Sequence, residues 1–349
     1  MKKRLAVVLA AVMVATSFVG CGSKDAASGS TSSGSSTSGS SEKSGYTIKI
    51  GHGGAEGVAM HQASLKFEQL VEEASEGRIQ VEVYPNQQLG SDRELIEVVQ
   101  MGNIQMAIPS TAPIVNFVPE YYLFDIPFAF ESREQVFEVC DGPVGQEILD
   151  SLSKVGIKGL GVWENGFRDM TCKGEAKTTP DQLKGLKIRT MENDIHLELW
   201  RALGANPTPM AFGELYTALQ QGTVDAQENP LLLTYEMKFQ EVQDTVVETR
   251  HLYSPYIVMM NEEFYNGLSD EDKEIIMTAF DEATVYQREL AAIGEDEARE
   301  KLRESVDIVE LTDEERQVFI EKTKYIQDMV KEKVQNDELT DKFIEAIRS

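Results

Sequence analysis

Arg168 and Arg189 are the residues whose type and setting point most directly to chemistry, and that chemistry is recognition of an anion. Arg168 closes the segment Asn165-Gly166-Phe167-Arg168. Arg189 ends a short run, Gly185 to Thr190, in which apolar Leu186 and Ile188 alternate with Lys187 and Arg189 as in a β-strand. Asn229 follows another strand-like run, Thr223 to Ala226, and is held extended by Pro230. A guanidinium fork meets a carboxylate through parallel charge-assisted hydrogen bonds, each worth roughly 1.5–3 kcal/mol. A lone exposed arginine makes only a weak ion pair. These three side chains matter because strand carboxyl ends form the rim where ligands sit in open α/β sheets.

The surrounding elements must hold that rim. Thr179-Pro180-Asp181-Gln182 has the capping-box arrangement with proline at the first helical position, which predicts a helical turn before the Arg189 strand. Asn193 caps a helix carrying Ile195, Leu199 and Leu203 and closed by Gly204. A second helix, roughly Gly213 to Gln221, buries Leu215 and Leu219 and stops at Gly222. Nearer the amino terminus, strands at 47–52, 78–85 and 104–108 alternate with two helices. One carries Leu65, Phe67 and Leu70 and closes near Gly77; the other opens at Ser91 and stops at Gly102. Strand and helix alternate without short hairpins, so the fold class is α/β, with a mixed or parallel sheet flanked by helices. His52, Glu56 and Ser110 stand just beyond strand ends and are candidate cleft residues.

The aromatic-rich stretch Pro119 to Glu131 reads as a core-packing loop. Residues 231–247 read as helix and His251 to Asn261 as a strand, with Tyr235 and Tyr256 as candidate cleft residues. From Ser269 to roughly Arg303 one acidic amphipathic pattern runs without proline through Ile276, Phe280, Tyr286 and Leu290. Roughly the last forty residues read as a charged, solvated helical layer.

Charge and composition exclude several classes of function. The formal net charge of −26 combines +3 from Lys2, Lys3 and Arg4 in the first twenty residues with −29 elsewhere. Such a field repels nucleic acid and anionic membrane surfaces. The four histidines, His52, His61, His196 and His251, form no metal-binding motif, and Gly51-His52-Gly53-Gly54-Ala55-Glu56 lacks the last glycine of a dinucleotide loop. No phosphate-binding loop and no nucleophile elbow occur in the globular part. No metal and no cofactor is expected.

Residues 1–20 read as a signal peptide, with a basic start and an apolar run too short for a resident membrane helix. Phe18-Val19-Gly20 before Cys21 resembles a bacterial lipoprotein box, with cleavage before Cys21 and lipid on its thiol. Residues 21–45 then comprise that cysteine and a Ser/Gly-rich spacer. Its mean reach is about 25–30 Å.

Three segments carry a family resemblance: Asn165-Gly166-Phe167-Arg168, then Leu183 to Arg189, then Leu203 to Pro230. With Gly77 to Ile108 and Phe124 to Phe130 upstream, the resemblance covers nearly everything after Tyr46. The chain resembles the DctP-type solute-binding proteins of tripartite ATP-independent periplasmic (TRAP) transporters. The resemblance implies a two-lobed fold like that of periplasmic binding proteins, with two mixed sheets flanked by helices and one long helix spanning both domains. Residues 46–165 plus 255–294 would form the first lobe and 166–254 plus 295–349 the second. It also implies that Arg189 bridges the ligand carboxylate, Arg168 and Asn229 support it, and Phe212 lines the pocket. Asn165 and Glu192, in the WENGFR and MENDIH segments, complete the candidate set with His52, Glu56 and Ser110. Sialic-type members carry glutamate where this chain has Ser110, so the far end of the ligand is read differently here.

The implied function is capture of a small organic carboxylate, first a sugar acid such as a hexuronate or aldonate, and its delivery to a membrane permease. C4-dicarboxylate or keto-acid binding, or an extracytoplasmic sensor module, are the alternatives. The expected protein is a lipid-anchored monomer on the outer face of the cell membrane, in the periplasmic space of a Gram-negative cell. A sugar-acid lyase or hydrolase would have to recruit Glu164 or Glu228 with a histidine. Cys140 and Cys172 fall in different domains of the family's layout, so free buried thiols are expected.

Overall fold

The computed structural model describes residues 45–348; the expected signal peptide, Cys21 and the Ser/Gly-rich spacer up to residue 44 lie outside them. Nine strands join in one sheet: β1 (Tyr46–His52), β2 (Ile79–Tyr84), β3 (Met106–Ile108), β4 (Ile157–Cys172), β5 (Lys187–Thr190), β6 (Asn206–Pro209), β7 (Ala226–Asn229), β8 (Thr245–Asn261) and β9 (Asp307–Glu310). The order is β2-β1-β3-β8-β4-β7-β5-β6, with β9 also on β8. The β1, β2 and β3 set is parallel, as is the β5, β6 and β7 set, and the antiparallel pair β4 and β8 joins the two. The two strand sets anticipated from the sequence are therefore continuous by hydrogen bonding, because two strands of 16 and 17 residues run through both.

Strands that long bend only where the ladder breaks. Pairing shifts between Trp163, opposite Tyr256, and Gly166, opposite Ser254, so Glu164 and Asn165 together oppose Pro255. Proline has no N–H for a ladder bond and fits at such a bulge. Gly166 has φ +131°, a conformation open to glycine, and a Cβ there would sit 3.1 Å from Pro230. Gln287 satisfies the freed backbone: its Oε1 accepts from Glu164 N (2.8 Å) and its Nε2 donates to Glu164 O (2.7 Å).

Gln287 belongs to the 34-residue helix Asp270–Arg303, which is about 51 Å long at 1.5 Å per residue. Ser269 caps it by accepting from Asp272 N. Its buried stripe runs through Ile276, Ala279, Phe280, Ala283, Gln287, Ala291, Ala298 and Leu302. Tyr286, expected on that stripe, is instead exposed, since the bulge draws Gln287 inward. Trp163 stacks on Phe280 at 6.3 Å and donates from Nε1 to Thr284 Oγ1 (2.8 Å).

Several local expectations meet the structure directly. Ser91 and Glu94 form a capping box on the helix Asp92–Gln100, and Asn193 Oδ1 accepts from Ile195 N and His196 N at the start of Asp194–Ala202. Gln182 accepts from Thr178 N and Thr179 N, yet the chain makes only turns there because Gly185, at φ +78°, ends them. The strand foreseen at Thr223 begins at Ala226, which puts Asn229 itself in β7. The helix expected over 231–247 stops at Glu236, and β8 begins at Thr245. The carboxyl-terminal helices are more than a solvated layer: Phe319, Ile326, Val330, Leu339 and Phe343 are buried, and Phe343 packs edge-on against Phe124 and Phe130. Tyr121, Leu123 and Phe124 of the aromatic stretch are buried in the same core. Cys140 and Cys172 are buried free thiols.

Phe280→Ala removes the ring that fastens the long helix to β4 and lowers unfolding free energy by about 3–5 kcal/mol. Urea denaturation with a loss under about 1 kcal/mol would contradict this packing role.

Candidate functional site

A cleft enclosing about 590 Å³ of atom-free space, open mouth included, lies at the carboxyl ends of β1, β2, β3, β5, β6 and β7. Each end contributes a side chain or turn: Gly53 and Gly54 after β1, Gln87 after β2, Ser110 after β3, Arg189 in β5, Phe212 after β6 and Asn229 in β7. β4 adds Asn165, presented by its bulge, and Arg168.

The two arginines are both buried but differently held. Arg168 donates from Nε and Nη2 to the Glu228 carboxylate, and from Nη2 also to Asn229 Oδ1 (3.1 Å). Burial would raise the Glu228 carboxyl, but the Arg168 guanidinium and the His251 hydrogen bond override it and hold it well below the usual carboxylate range. His251, itself lowered by burial, lies with Nε2 3.3 Å from Glu228 Oε2 and Nδ1 2.8 Å from Thr249 Oγ1. A neutral ring that donates to Glu228 and accepts from Thr249 satisfies both contacts.

Arg189 has no ion pair among the described residues. Its Nε and Nη2 donate to the Met210 carbonyl at 3.0 and 2.7 Å, while Nη1 is buried with no hydrogen-bond partner. Phe212 lies beneath the guanidinium, its ring centroid 5.8 Å from Cζ. Burial, helped by the neighbouring Arg168 charge and opposed by Glu228, lowers Arg189 to about 10. A buried cation in that setting is strongly attractive to an anion.

The opposite wall carries a carboxyl. Asp92 Oδ2 accepts from Ser110 N (3.0 Å), and Ser110 Oγ lies 3.1 Å from Ser254 Oγ and 3.3 Å from Met191 Sδ. Burial pushes Asp92 up to about 6, against the Ser110 hydrogen bond and the pull of Arg189 and Arg168. Arg93 reaches the cleft from the same helix, but it is exposed and paired with Glu97 (3.3 Å).

Of the residues anticipated from the sequence, Arg189, Arg168, Asn229, Phe212, Ser110, Asn165 and Glu192 come together in the lining. His52 and Glu56 do not. His52 is buried behind the cleft, with Nε2 3.2 Å from His61 Nδ1, and is lowered to about 3 by burial and then by His61. Glu56 is exposed outside the lining; its backbone carbonyl accepts from Gln62 Nε2, and its carboxylate acts on His61 rather than on the cleft. Tyr256 lines the cleft, whereas Tyr235 lies under Lys301, 5.2 Å away. Asp92 and Gln87 escaped the sequence reading. The signal for Asp92 was available, since it opens the helix that follows β2; nothing local marks Gln87.

Neither glutamate that a lyase or hydrolase would have to recruit is unpaired: Glu164 accepts from Arg133 Nε (2.7 Å) and Glu228 from Arg168. Among the described residues no group of His, Cys, Asp and Glu could hold a metal ion, and no helix is long and apolar enough to cross a membrane.

Residues 50–333 match the family described as bacterial extracellular solute-binding protein, family 7. The chain belongs to that family, the DctP type. A solute-binding protein of Verminephrobacter eiseniae is 42% identical over 233 residues, 67% of this chain and 69% of that one. The crystal structure of a sugar acid binding protein from Advenella mimigardefordensis in complex with galactonate superposes with a TM-score of 0.85 at 35% identity, covering 87% of this chain and 98% of that one. A TRAP periplasmic solute binding protein from Sulfurospirillum deleyianum with bound succinate gives 0.82 at 32% identity, over 88% and 99% of the two chains. This DctP-type protein therefore has a binding cleft where an enzyme would have a reaction centre.

Asp92, with its folded value above the unfolded 3.8, contributes stability below that pH and loses it as pH rises through about 6. Asp92→Asn therefore gains on the parent between pH 4 and pH 7 in urea unfolding; a constant difference would contradict this. Glu228 has the opposite sign. Its contribution is present above the unfolded 4.5 and lost as pH falls below it.

Proposed function

We propose that the cleft captures a small hydroxylated monocarboxylate, a sugar acid such as an aldonate or hexuronate, for delivery to a TRAP permease. One observation carries the reading. Arg189 is a buried guanidinium with no ion pair among the described residues and an unpartnered Nη1, set beside an Arg168 whose charge Glu228 already answers. In this reading the ligand carboxylate takes Nη1 of Arg189, Asn229 and Glu228 keep Arg168 in place, and Phe212 packs against the ligand's flank. Hydroxyls face Asp92, Ser110, Asn165 and Glu192. A carboxylate on that far wall repels a second ligand carboxylate, which favours sugar acids over C4-dicarboxylates. The relatives bind acids of both kinds, galactonate in one and succinate in the other.

The two lobes, 46–165 plus 255–294 and 166–254 plus 295–349, close over the ligand, and the bulged crossing of β4 and β8 supplies the bend. Closure excludes water and strengthens the arginine contact. The protein acts as a monomer, held by lipid on Cys21 at the outer face of the cell membrane.

D-galactonate, D-erythronate, D-glucuronate, succinate and D-galactose form the test panel in a thermal-shift assay. Ligand at a hundredfold excess over Kd adds about 2.7 kcal/mol of stability. The sugar acids raise Tm most, succinate less and galactose not at all. Arg189→Lys keeps charge but loses the fork, and weakens binding at least about tenfold by calorimetry. A galactose shift equal to that of the acids would sink the carboxylate reading, and an equal succinate shift the sugar-acid preference.

A further inference from the structure

The contact between Gln87 and Gly213 is the one that the sheet order makes least expected. β2 and β6 are the two ends of the strand path, yet the turn after β2 touches the turn after β6: Gly213 N donates to Gln87 Oε1 at 3.0 Å. The two outermost turns thus meet across the mouth of the cleft, both beside its lining residues.

The other half of the same amide faces inward. Gln87 lines the cleft, and its Nε2 is buried without a hydrogen-bond partner. It stands over Gly53, whose hypothetical Cβ would be 3.6 Å away. A buried amide donor left unsatisfied is unfavourable unless something else accepts from it. The backbone gives the side chain little choice of direction. Asn86 and Gln87 have successive left-handed φ values of 55° and 57°, pinned by Asn86 N to Gly54 O (2.9 Å) and Gln87 N to His52 O (3.1 Å). Glutamine is poorly suited to that conformation and glycine well suited, so the turn carries a side chain where none is locally favoured.

We infer that Gln87 is a positioning and specificity residue that fastens the cleft around the ligand, its Nε2 donating to a ligand oxygen while its Oε1 holds the backbone of Gly213. One planar amide then couples the two events. A ligand oxygen on Nε2 and Gly213 N–H on Oε1 favour the same orientation of the amide, and the Gly213 contact, already made in the structure, helps seat Phe212, the preceding residue, under Arg189. Gly213 matters through its lack of a side chain, since a Cβ there would lie 2.4 Å from Gln87 Oε1. The inference rests on the reading of the cleft as a site for a small hydroxylated acid.

Two variants separate the halves of the amide. Gln87→Glu keeps an oxygen for Gly213 N–H but replaces the donor to the ligand by a charge that repels a carboxylate. Gly213→Ala substitutes no lining residue and acts on the cleft only by pushing the Gln87 carbonyl away; its φ lies outside the left-handed range, so the backbone accepts alanine. D-galactonate, D-erythronate and D-glucuronate serve as probes, with Kd from calorimetry, dissociation rate from stopped-flow fluorescence, and circular dichroism to verify folding. Gln87→Glu is expected to raise Kd tenfold or more. Gly213→Ala is expected to raise it severalfold, chiefly through faster dissociation. A parent that binds a probe while both folded variants match it within twofold overturns the role of Gln87 alone. A parent that binds none of the three overturns the reading of the cleft, and this role falls with it.

Discussion

A charged guanidinium removed from water must be answered by negative charge or by aligned dipoles, and the structure answers its two buried arginines unequally. Arg168 receives a full carboxylate from Glu228, whose ionised state is kept by Arg168 and His251 against its own burial. Arg189 receives one backbone carbonyl, that of Met210. The imbalance leaves net positive potential at one point of a chain that carries −26 overall. The net charge as a whole disfavours an anion; in the proposed reading the ligand carboxylate is the counter-charge that Arg189 lacks. The secondary structure around the site can be understood as support for that imbalance. β7 carries both Glu228 and Asn229 to Arg168, and Trp200 of the helix Asp194–Ala202 packs edge-on against His251, which steadies Glu228.

The sheet supplies the second constraint. Continuous antiparallel pairing along β4 and β8 would make a stiff ribbon, and the register shifts at Gly159/Gly161, Trp163/Gly166 and Arg168/Met170 interrupt it. At the middle interruption the exposed peptide groups are paired by Gln287 of the long helix. The bend therefore carries no unsatisfied Glu164 peptide group. The same bulge turns Asn165 into the cleft, so the feature that bends the sheet also supplies a lining residue. The long helix couples to the site through Gln287 and through the Trp163–Phe280 stack.

The far wall gives the cleft its polarity. Asp92 and Ser110 oppose Arg189 across the space, and a carboxyl held near 6 by burial can accept from ligand hydroxyls when ionised. In the proposed reading, walls of opposite character distinguish the charged end of the ligand from its hydroxylated end.

Much of this was legible in the sequence because it depends on neighbours along the chain. Strand alternation at 186–189, the caps at Ser91, Asn193 and Ser269, the glycine stops at Gly102, Gly204 and Gly222, and proline after Asn229 are all local chemistry. They placed Arg189 and Asn229 at strand ends, whereas Arg168, read as a strand-end residue, lies within β4, whose ladder continues past it to Cys172. Tertiary structure decided what local pattern cannot encode. His52 and Glu56 stand beyond a strand end just as Ser110 does; only packing sends His52 against His61 and Glu56 into solvent. Pro255, inside the strand read at 251–261, carries no local sign that it sits opposite a two-residue bulge of β4. Gln287 reads as a polar interruption on a helix stripe until the bulge it satisfies is seen. Gln87 and Gly213, at opposite ends of the strand path, carry no pattern that links them. Local propensity sets which residues end a strand or start a helix, whereas the partners of buried polar groups are chosen by long-range packing, and the function of this cleft lies in those partners.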